Sequence, residues 1–234
     1  MVSREERNAQ FRQHHYRWRK GKYGTWVLIG PNGYETTEQE AWQAIQEKQQ
    51  HPPLDPRQWA RQMQERRALV LDTETTGLEA SHEVIELALV ELDGTVALNT
   101  LIACQGTVPA EATNIHGISK AMLANAPTFS AVWAQLTPYL DRDIIIFNAR
   151  FDIPMLKQTA ERYSITLPRL HSHCLMIQYF EYATGARRGG TGRDNYYSLD
   201  ATCQHFNIPT GGHRALPDAQ AAREVLLHMA MLEL

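Results

Sequence analysis

The chain has 234 residues, a formal net charge of −3, 43% hydrophobic and 21% charged residues. That is enough apolar material for one large domain or a medium domain with an appendage, and the total charge does not announce a polyanion ligand. Three cysteines (Cys104, Cys174, Cys203), odd in number and without a Cys-x-x-Cys pair, argue against a disulfide framework and a zinc ribbon.

No apolar run reaches the ~18–20 residues that span a bilayer, and the basic N-terminus lacks the apolar core of a signal peptide. A cytoplasmic protein with reduced thiols and no membrane contact is the simplest expectation. Charge is unevenly spread: Arg4, Arg7, Arg12, Arg17, Arg19, Lys20 and Lys22 against Glu5 and Glu6 give residues 1–22 a charge of +5, leaving −8 for the rest.

In chain order, residues 1–22 read as a basic arm, flexible or helical. A small unit follows at residues 23–50. Its GTWVLIGPNGYETT predicts a β-hairpin, with Asn32-Gly33 suited to positive φ. TTEQEAWQAIQEKQQ predicts an amphipathic helix: Thr37 caps it, Glu40 lies three residues on, Ala41, Ala44 and Ile45 form its apolar stripe, and Trp42 lies near the edge. HPPLDP breaks that helix, so residues 51–66 read as a linker and a short helix.

A larger domain spans residues 67–234. ALVLDTET is its first strand, and HEVIELALVELDGTVALNTLIAC holds two more joined at Asp93-Gly94, which makes three antiparallel strands. AMLANAP and TFSAVWAQLTPYL read as helices and RDIIIFNA as a buried strand. FDIPMLKQTAERY reads as a helix with Pro154 in its first turn. HCLMIQYFEYATG predicts a helix ending at Gly185, GARRGGTGRDN a basic, Gly-rich surface loop, and SLDATCQHFNI and LPDAQAAREVLLHMAML two final helices. The order β-β-β-α-β-α-α-α predicts an α/β fold, a mixed sheet with helices on its faces.

Within LVLDTETTGL an apolar strand ends at Asp72 and Glu74, whose side chains share one face of an extended segment. Two like charges at a buried strand end are costly unless something positive binds them. Alone, an Asp-x-Glu is also explained by a solvated loop. Asp152, after IIIFNARF, and Asp218, in HRALPDAQAA, are each explained alone as first-turn helix acids. Taken together, three apolar-framed acid sites and His213 are explained economically by hard cations on oxygen ligands. Two such cations about 3.5–4 Å apart clamp a phosphodiester undergoing hydrolysis. A histidine, with an unperturbed pKa near 6.5, can take the proton of the attacking water.

LVLDTETTGL, NARFDIPML and HRALPDAQAA resemble the three exonuclease motifs of the DEDD superfamily, and the spacing His213-x-x-x-x-Asp218 is similar to its DEDDh (DnaQ-like) branch. That branch includes the proofreading exonuclease subunit of bacterial DNA polymerase III and ribonuclease T. VPAEATNIHGISKAMLANAPTF and YSLDATCQHFNI resemble further family segments, so the similarity covers residues 67–234. The resemblance implies a ribonuclease H-like mixed sheet of about five strands. It implies Asp72, Glu74, Asp152 and Asp218 as ligands of two divalent cations, Mg²⁺ or Mn²⁺, with Asp72 bridging and Asp152 acting directly or through water. It implies His213 as general base, the Thr75, Thr76 and Gly77 backbone as the seat of the 3′-terminal nucleotide, His116 beside the scissile end, and Asn148, matching the asparagine of the second motif, as a further substrate contact.

The implied activity is 3′→5′ exonuclease action on single-stranded or frayed nucleic acid, DNA favoured over RNA, releasing nucleoside 5′-monophosphates. The alternatives are an exoribonuclease of the same family, or a non-catalytic or polymerase-associated subunit. Two departures stand out. Phe147 occupies a position where many members have histidine, which should tune packing. LHSHCLMIQ replaces a common Asp-Thr pair; it is read as core at Cys174 rather than as a zinc site, since no second Cys/His cluster has ligand spacing.

The resemblance leaves residues 1–66 unexplained. FRQHHYRWRKGKYGTW interleaves basic and aromatic side chains, a mix suited to phosphate contact and base stacking. Arg17, Trp18, Arg19 and Lys20, with Arg187 and Arg188 in the Gly-rich loop, are candidate nucleic-acid contacts. A replication or repair protein docking on this N-terminal unit, or plain stability, is the competing reading.

Overall fold

The computed structural model describes residues 3–20, 25–50, 54–185 and 197–231. It begins with helix α1 (Arg4–Gln13), closed by a reciprocal cap in which Ser3 Oγ accepts from the Glu6 N–H and Glu6 accepts from the Ser3 N–H. Strand β1 (Arg17–Lys20) then pairs antiparallel with β2 (Trp26–Ile29), which pairs with β3 (Glu35–Thr36).

The β2–β3 hairpin and its positive φ at Gly33 (87°) are as expected, and so is the capped helix α2 (Glu38–Gln50), with Thr37 and Glu40 bonding reciprocally. The basic arm is helical in part, one of the two forms expected of it, but its RWRK stretch is a third strand of the same small sheet. Charge concealed the alternation there: Arg17 and Arg19 are half-buried on one face while Trp18 and Lys20 are exposed on the other. Phe11, Tyr16, Leu28, Ala41 and Ile45 form a separate small core.

Helix α3 (Pro56–Glu65), capped by Asp55, leads into the main sheet. That sheet has the order β6-β5-β4-β7-β8, from β4 (Leu69–Thr75), β5 (Val84–Glu91), β6 (Val96–Leu101), β7 (Asp143–Ile146) and β8 (His171–Cys174). The first three strands are antiparallel, whereas β7 and β8 run parallel to β4. Apolar runs in β4, β5 and β7 supply the buried centre of a mixed α/β sheet flanked by helices. The helices are α4 (Ala110–His116), α5 (Phe129–Leu136), α6 (Ala149–Arg162), α7 (Leu175–Thr184), α8 (Leu199–Phe206) and α9 (Ala215–Ala230). Among the described residues none is long and apolar enough to cross a membrane.

Three details differ from the sequence reading. AMLANAP contributes only to a 3₁₀ turn at Lys120–Leu123, because Pro127 disfavours helical geometry at the residue before it. His171–Cys174 is an edge strand, not the start of a helix; pairing with β7 buries Ser172 and Cys174 and turns His171 outward. Helix α6 begins at Ala149, which places Pro154 in its second turn.

A proline there leaves the carbonyl of Arg150, four residues back, without its helical donor. The Arg17 guanidinium supplies the missing hydrogen bond. The Arg150 guanidinium in turn donates to the His15 carbonyl at 3.2 Å, and Ser172 Oγ donates to the Asn32 carbonyl at 2.6 Å. Gly33 lies so close to α6 that a Cβ there would stand 2.3 Å from the Ala149 carbonyl oxygen. The N-terminal sheet is therefore knitted onto the helix that carries Asp152. The Gly-rich loop with Arg187 and Arg188 lies outside the described residues.

Candidate active site

The pairing of β4 with β7 stops at Leu71–Ile146, and Asp72 is the next residue on β4. Beyond that point β4 keeps only its antiparallel neighbour β5, so the sheet opens beside the carboxyl ends of two parallel strands, where α/β sheets accommodate ligands. Asp72 and Glu74 face this opening from β4. Asp152 enters in the first turn of α6, and Asp218 in the first turn of α9.

One oxygen from each of Asp72, Glu74 and Asp218 lies within 4.8 Å of the other two. Asp152 stands beside this trio rather than in it: its Oδ1 accepts from Thr73 Oγ1 at 2.7 Å, while its charge acts strongly on Asp72. Among the described residues this is the one cluster of metal-ligating type.

The electrostatics agree with the geometry. Burial, then the carboxylates of Asp152, Asp218, Glu74 and Glu86, push the Asp72 carboxyl well above the ordinary range. Part of that residue's surface stays open, but its carboxyl is enclosed by protein and by other acids. Burial, then Asp218, Glu86 and Asp152, raise Glu74 to about 8, with Arg214 acting the other way. Burial raises Asp152 to about 7 despite the Thr73 hydrogen bond. Burial raises Asp218 to about 6, opposed first by His213. Crowded, desolvated carboxylates of this kind are a misfit to water and a fit to hard divalent cations on oxygen ligands.

Glu86 is a functional residue that sequence reasoning missed. It lies directly across from Glu74 on β5 and is buried, at 3% exposed. Two acids opposed across strands repel. Arg214 resolves the conflict with a fork on Glu86 (2.6 Å to Oε1, 3.0 Å to Oε2), and the Ala215 N–H donates to Oε2 at 2.9 Å. Glu86 thus pins the start of α9, placing Asp218 within reach of β4 and His213 just outside the helix. The signal was an acid in the middle of the run VIELALV.

His213 is exposed, with φ 57°, and stands close enough to Asp218 to oppose the rise in its pKa. Gly211 passes against the same acid; a Cβ there would lie 1.9 Å from Asp218 Oδ1.

The other expected site residues are accounted for one by one. His116 ends α4 and is buried; its Nδ1 accepts from the Ile118 N–H at 3.0 Å, which leaves the proton of the neutral ring on Nε2. The ring's other nitrogen lies toward the Thr75 carbonyl, too loosely for a well-formed hydrogen bond; that neighbour favours the charged ring, but burial outweighs it and holds the pKa down. Asn148 caps α6 without a side-chain cap bond, and its buried Oδ1 is likewise unpartnered. Thr75 Oγ1 donates to the Gly77 carbonyl at 2.8 Å. Thr76 is committed to the turn: its N–H goes to the Glu83 carbonyl, and its hydroxyl accepts from the Glu83 N–H and meets His82 Nδ1. A Cβ on Gly77 would strike the His82 ring. Phe147 and Cys174 are in the main core. Arg17 is directed onto α6, and the Trp18 indole donates to Asn8 at 3.2 Å.

Comparison with known proteins places the geometry in context. The family model described as Exonuclease matches residues 69–226. An uncharacterized exonuclease of Escherichia phage 186 is 34% identical over 165 residues, covering 65% of this chain and 82% of the relative. The DNA polymerase III subunit epsilon of Escherichia coli (strain K12) is 32% identical over 178 residues, covering 70% and 71%. Among solved structures, the nuclease domain of a DEDDh family member, 3′hExo bound to rAMP, shares the fold with a TM-score of 0.55 at 13% identity, covering 69% of this chain and 90% of that one.

Proposed function

This chain belongs to the DEDDh, DnaQ-like branch of the exonuclease family, and on that premise we propose that it removes nucleotides one at a time from the 3′ end of single-stranded or frayed nucleic acid. DNA is the favoured substrate, water the nucleophile, and nucleoside 5′-monophosphates the products. The observation that carries this reading is the convergence of Asp72, Glu74 and Asp218 from β4 and α9.

Those three acids would hold divalent cations, Mg²⁺ or Mn²⁺, with Asp152 completing the set. When bound there, such cations supply charge neutralisation and Lewis acidity at the phosphate. The protein's own groups do the rest. His213 takes the proton of the attacking water at an imidazole nitrogen, and its exposure gives that proton a route to solvent. The Nε2–H of His116, set beside the Thr75 carbonyl, can donate to the phosphate, and the unpartnered Oδ1 of Asn148 can accept from the sugar hydroxyl of the terminal nucleotide. The turn at Thr75–Gly77, braced by His82 and Glu83, forms the wall against which that nucleotide sits. Preference between DNA and RNA turns on contact with the 2′-hydroxyl.

The test is digestion of 5′-labelled DNA and RNA oligonucleotides with Mg²⁺, Mn²⁺ or EDTA, comparing wild type with Asp72→Asn. The expected result is a one-nucleotide ladder from the 3′ end, faster on DNA, that chelation and the substitution both abolish. A ladder that survives EDTA or Asp72→Asn refutes the reading.

A further inference from the structure

A groove of about 550 Å³ lies between the N-terminal sheet and the outer face of α6, away from the carboxylates. Arg19, Lys20 and Val27 line it from the N-terminal sheet, Lys157 and Arg162 from α6, and Ala80 from the turn after β4. We propose that this groove is a phosphate track for the single strand on the 5′ side of the nucleotide being removed. The inference rests on the exonuclease reading above.

Charge is the first support. Arg19, Lys20, Lys157 and Arg162 line the groove against Glu35 and Glu161 alone. Lys157 is paired with Glu35 at 3.7 Å. Arg19 has no hydrogen-bond partner among the described residues. It is half-buried, and the neighbouring Arg17 guanidinium adds to the cost of its charge, which Glu35, shared with Lys157, offsets only in part. A half-buried cation crowded by another cation is relieved by an anion. Phosphate oxygens meet that need, and guanidinium groups bind them in a fork.

Position is the second support. The residues that shape the groove also brace the turn after Asp72 and Glu74. Gln158 donates to the Glu79 and His82 carbonyls at 3.0 and 2.7 Å, and Arg162 donates to the Ser81 carbonyl. The groove therefore starts where the turn flanking the active site ends. From Asp152 to Arg162 the helix rises about 15 Å, room for a few phosphates. A strand with its 3′ end at the carboxylates meets this surface next, and the N-terminal sheet supplies a wall of it that residues 67–234 lack.

The experiment compares wild type, Arg19→Gln/Lys20→Gln, and Arg4→Gln/Arg12→Gln, which removes the same charge from exposed positions on α1. Fluorescence anisotropy measures binding of DNA strands of about 3 and about 16 nucleotides carrying a 3′-terminal phosphorothioate to slow turnover. Loss of two phosphate contacts predicts about tenfold weaker binding of the long strand and a salt slope shallower by about 1.4. The short strand and the α1 variant should bind as wild type does. Thr25→Glu, which adds a negative charge at the groove without removing a contact, should reproduce the loss and covers the case in which the double variant does not fold.

Equal weakening by the groove and α1 variants, or unchanged long-strand binding in both Arg19→Gln/Lys20→Gln and Thr25→Glu, overturns the proposal. The second outcome leaves the groove to an acidic protein segment. Hydrolysis of the p-nitrophenyl ester of thymidine 5′-monophosphate, which has no 5′ extension, should be unchanged in the groove variants. Its absence in wild type would count against the exonuclease reading and leave the binding result to judge the groove.

Discussion

If crowded carboxylates are tolerated only with cations present, the metal-free protein should lose stability as pH rises from 6 to 8. The native pKa values of Glu74 (about 8), Asp152 (about 7) and Asp218 (about 6) all lie above ordinary carboxylate values. At the start of this window the unfolded chain has released these protons while the native state still holds most of them, and it gives them up one group after another as pH rises. Stability therefore falls with rising pH, by 2.303RT per pH unit for each proton held. Integrated over the window, Glu74 contributes about 2 kcal/mol, Asp152 about 1 and Asp218 well under 1, the last smaller still once solvent screening of its open side is allowed for. His116 works in the opposite sense, because burial lowers its pKa and the unfolded histidine gains a proton at the acid end. That offsets at most about 1 kcal/mol.

The net loss of about 2–3 kcal/mol corresponds to a Tm lower by roughly 5–10 °C at pH 8 than at pH 6 for a chain of this size. The assay is thermal unfolding followed by circular dichroism in EDTA and in excess Mg²⁺ at both pH values. Mg²⁺ should raise Tm far more at pH 8 than at pH 6, and Glu74→Gln should remove about half of the slope seen in EDTA. A Tm that is flat or rises with pH in EDTA would refute the account of the site as a set of acids held together by bound cations.

Other outcomes follow from the same geometry. His213→Ala should slow hydrolysis by about 10²–10⁴-fold, measured by single-turnover digestion, with Tm unchanged because the side chain is exposed. Glu86→Ala should cost about 2–4 kcal/mol in urea unfolding: Arg214 can turn to water, but the buried Ala215 N–H cannot. The same change should lower kcat on every substrate, since Asp218 and His213 ride on the element Glu86 pins. Gly211→Ala should weaken Mg²⁺ activation, read as a higher Mg²⁺ concentration at half-maximal rate, because its Cβ would displace the Asp218 carboxylate.

Much of the site was legible because its signals are local. The Asp72–Glu74 pair, the Asp93-Gly94 hairpin, and the Thr37–Glu40 cap each lie within a few residues of one another, and the structure has all of them. Glu86 was not legible, because its meaning depends on Arg214, 128 residues away. The edge strand His171–Cys174 was hidden because three of its four side chains are polar and its partner is not adjacent in sequence. The start of α6 was misplaced because a proline in a second turn is normally forbidden. What permits it is a side chain from a strand that sequence reading took for part of a flexible or helical arm.

That permission carries an obligation. A fragment cut at residue 69, where the family match begins, would keep every carboxylate yet strip the donor from the Arg150 carbonyl and uncover the face of α6 beneath Gly33. The wound would open half a turn from Asp152. The N-terminal sheet is thus a splint for the helix that carries Asp152, and an attempt to shorten this protein to its recognisable core would loosen the part it set out to keep.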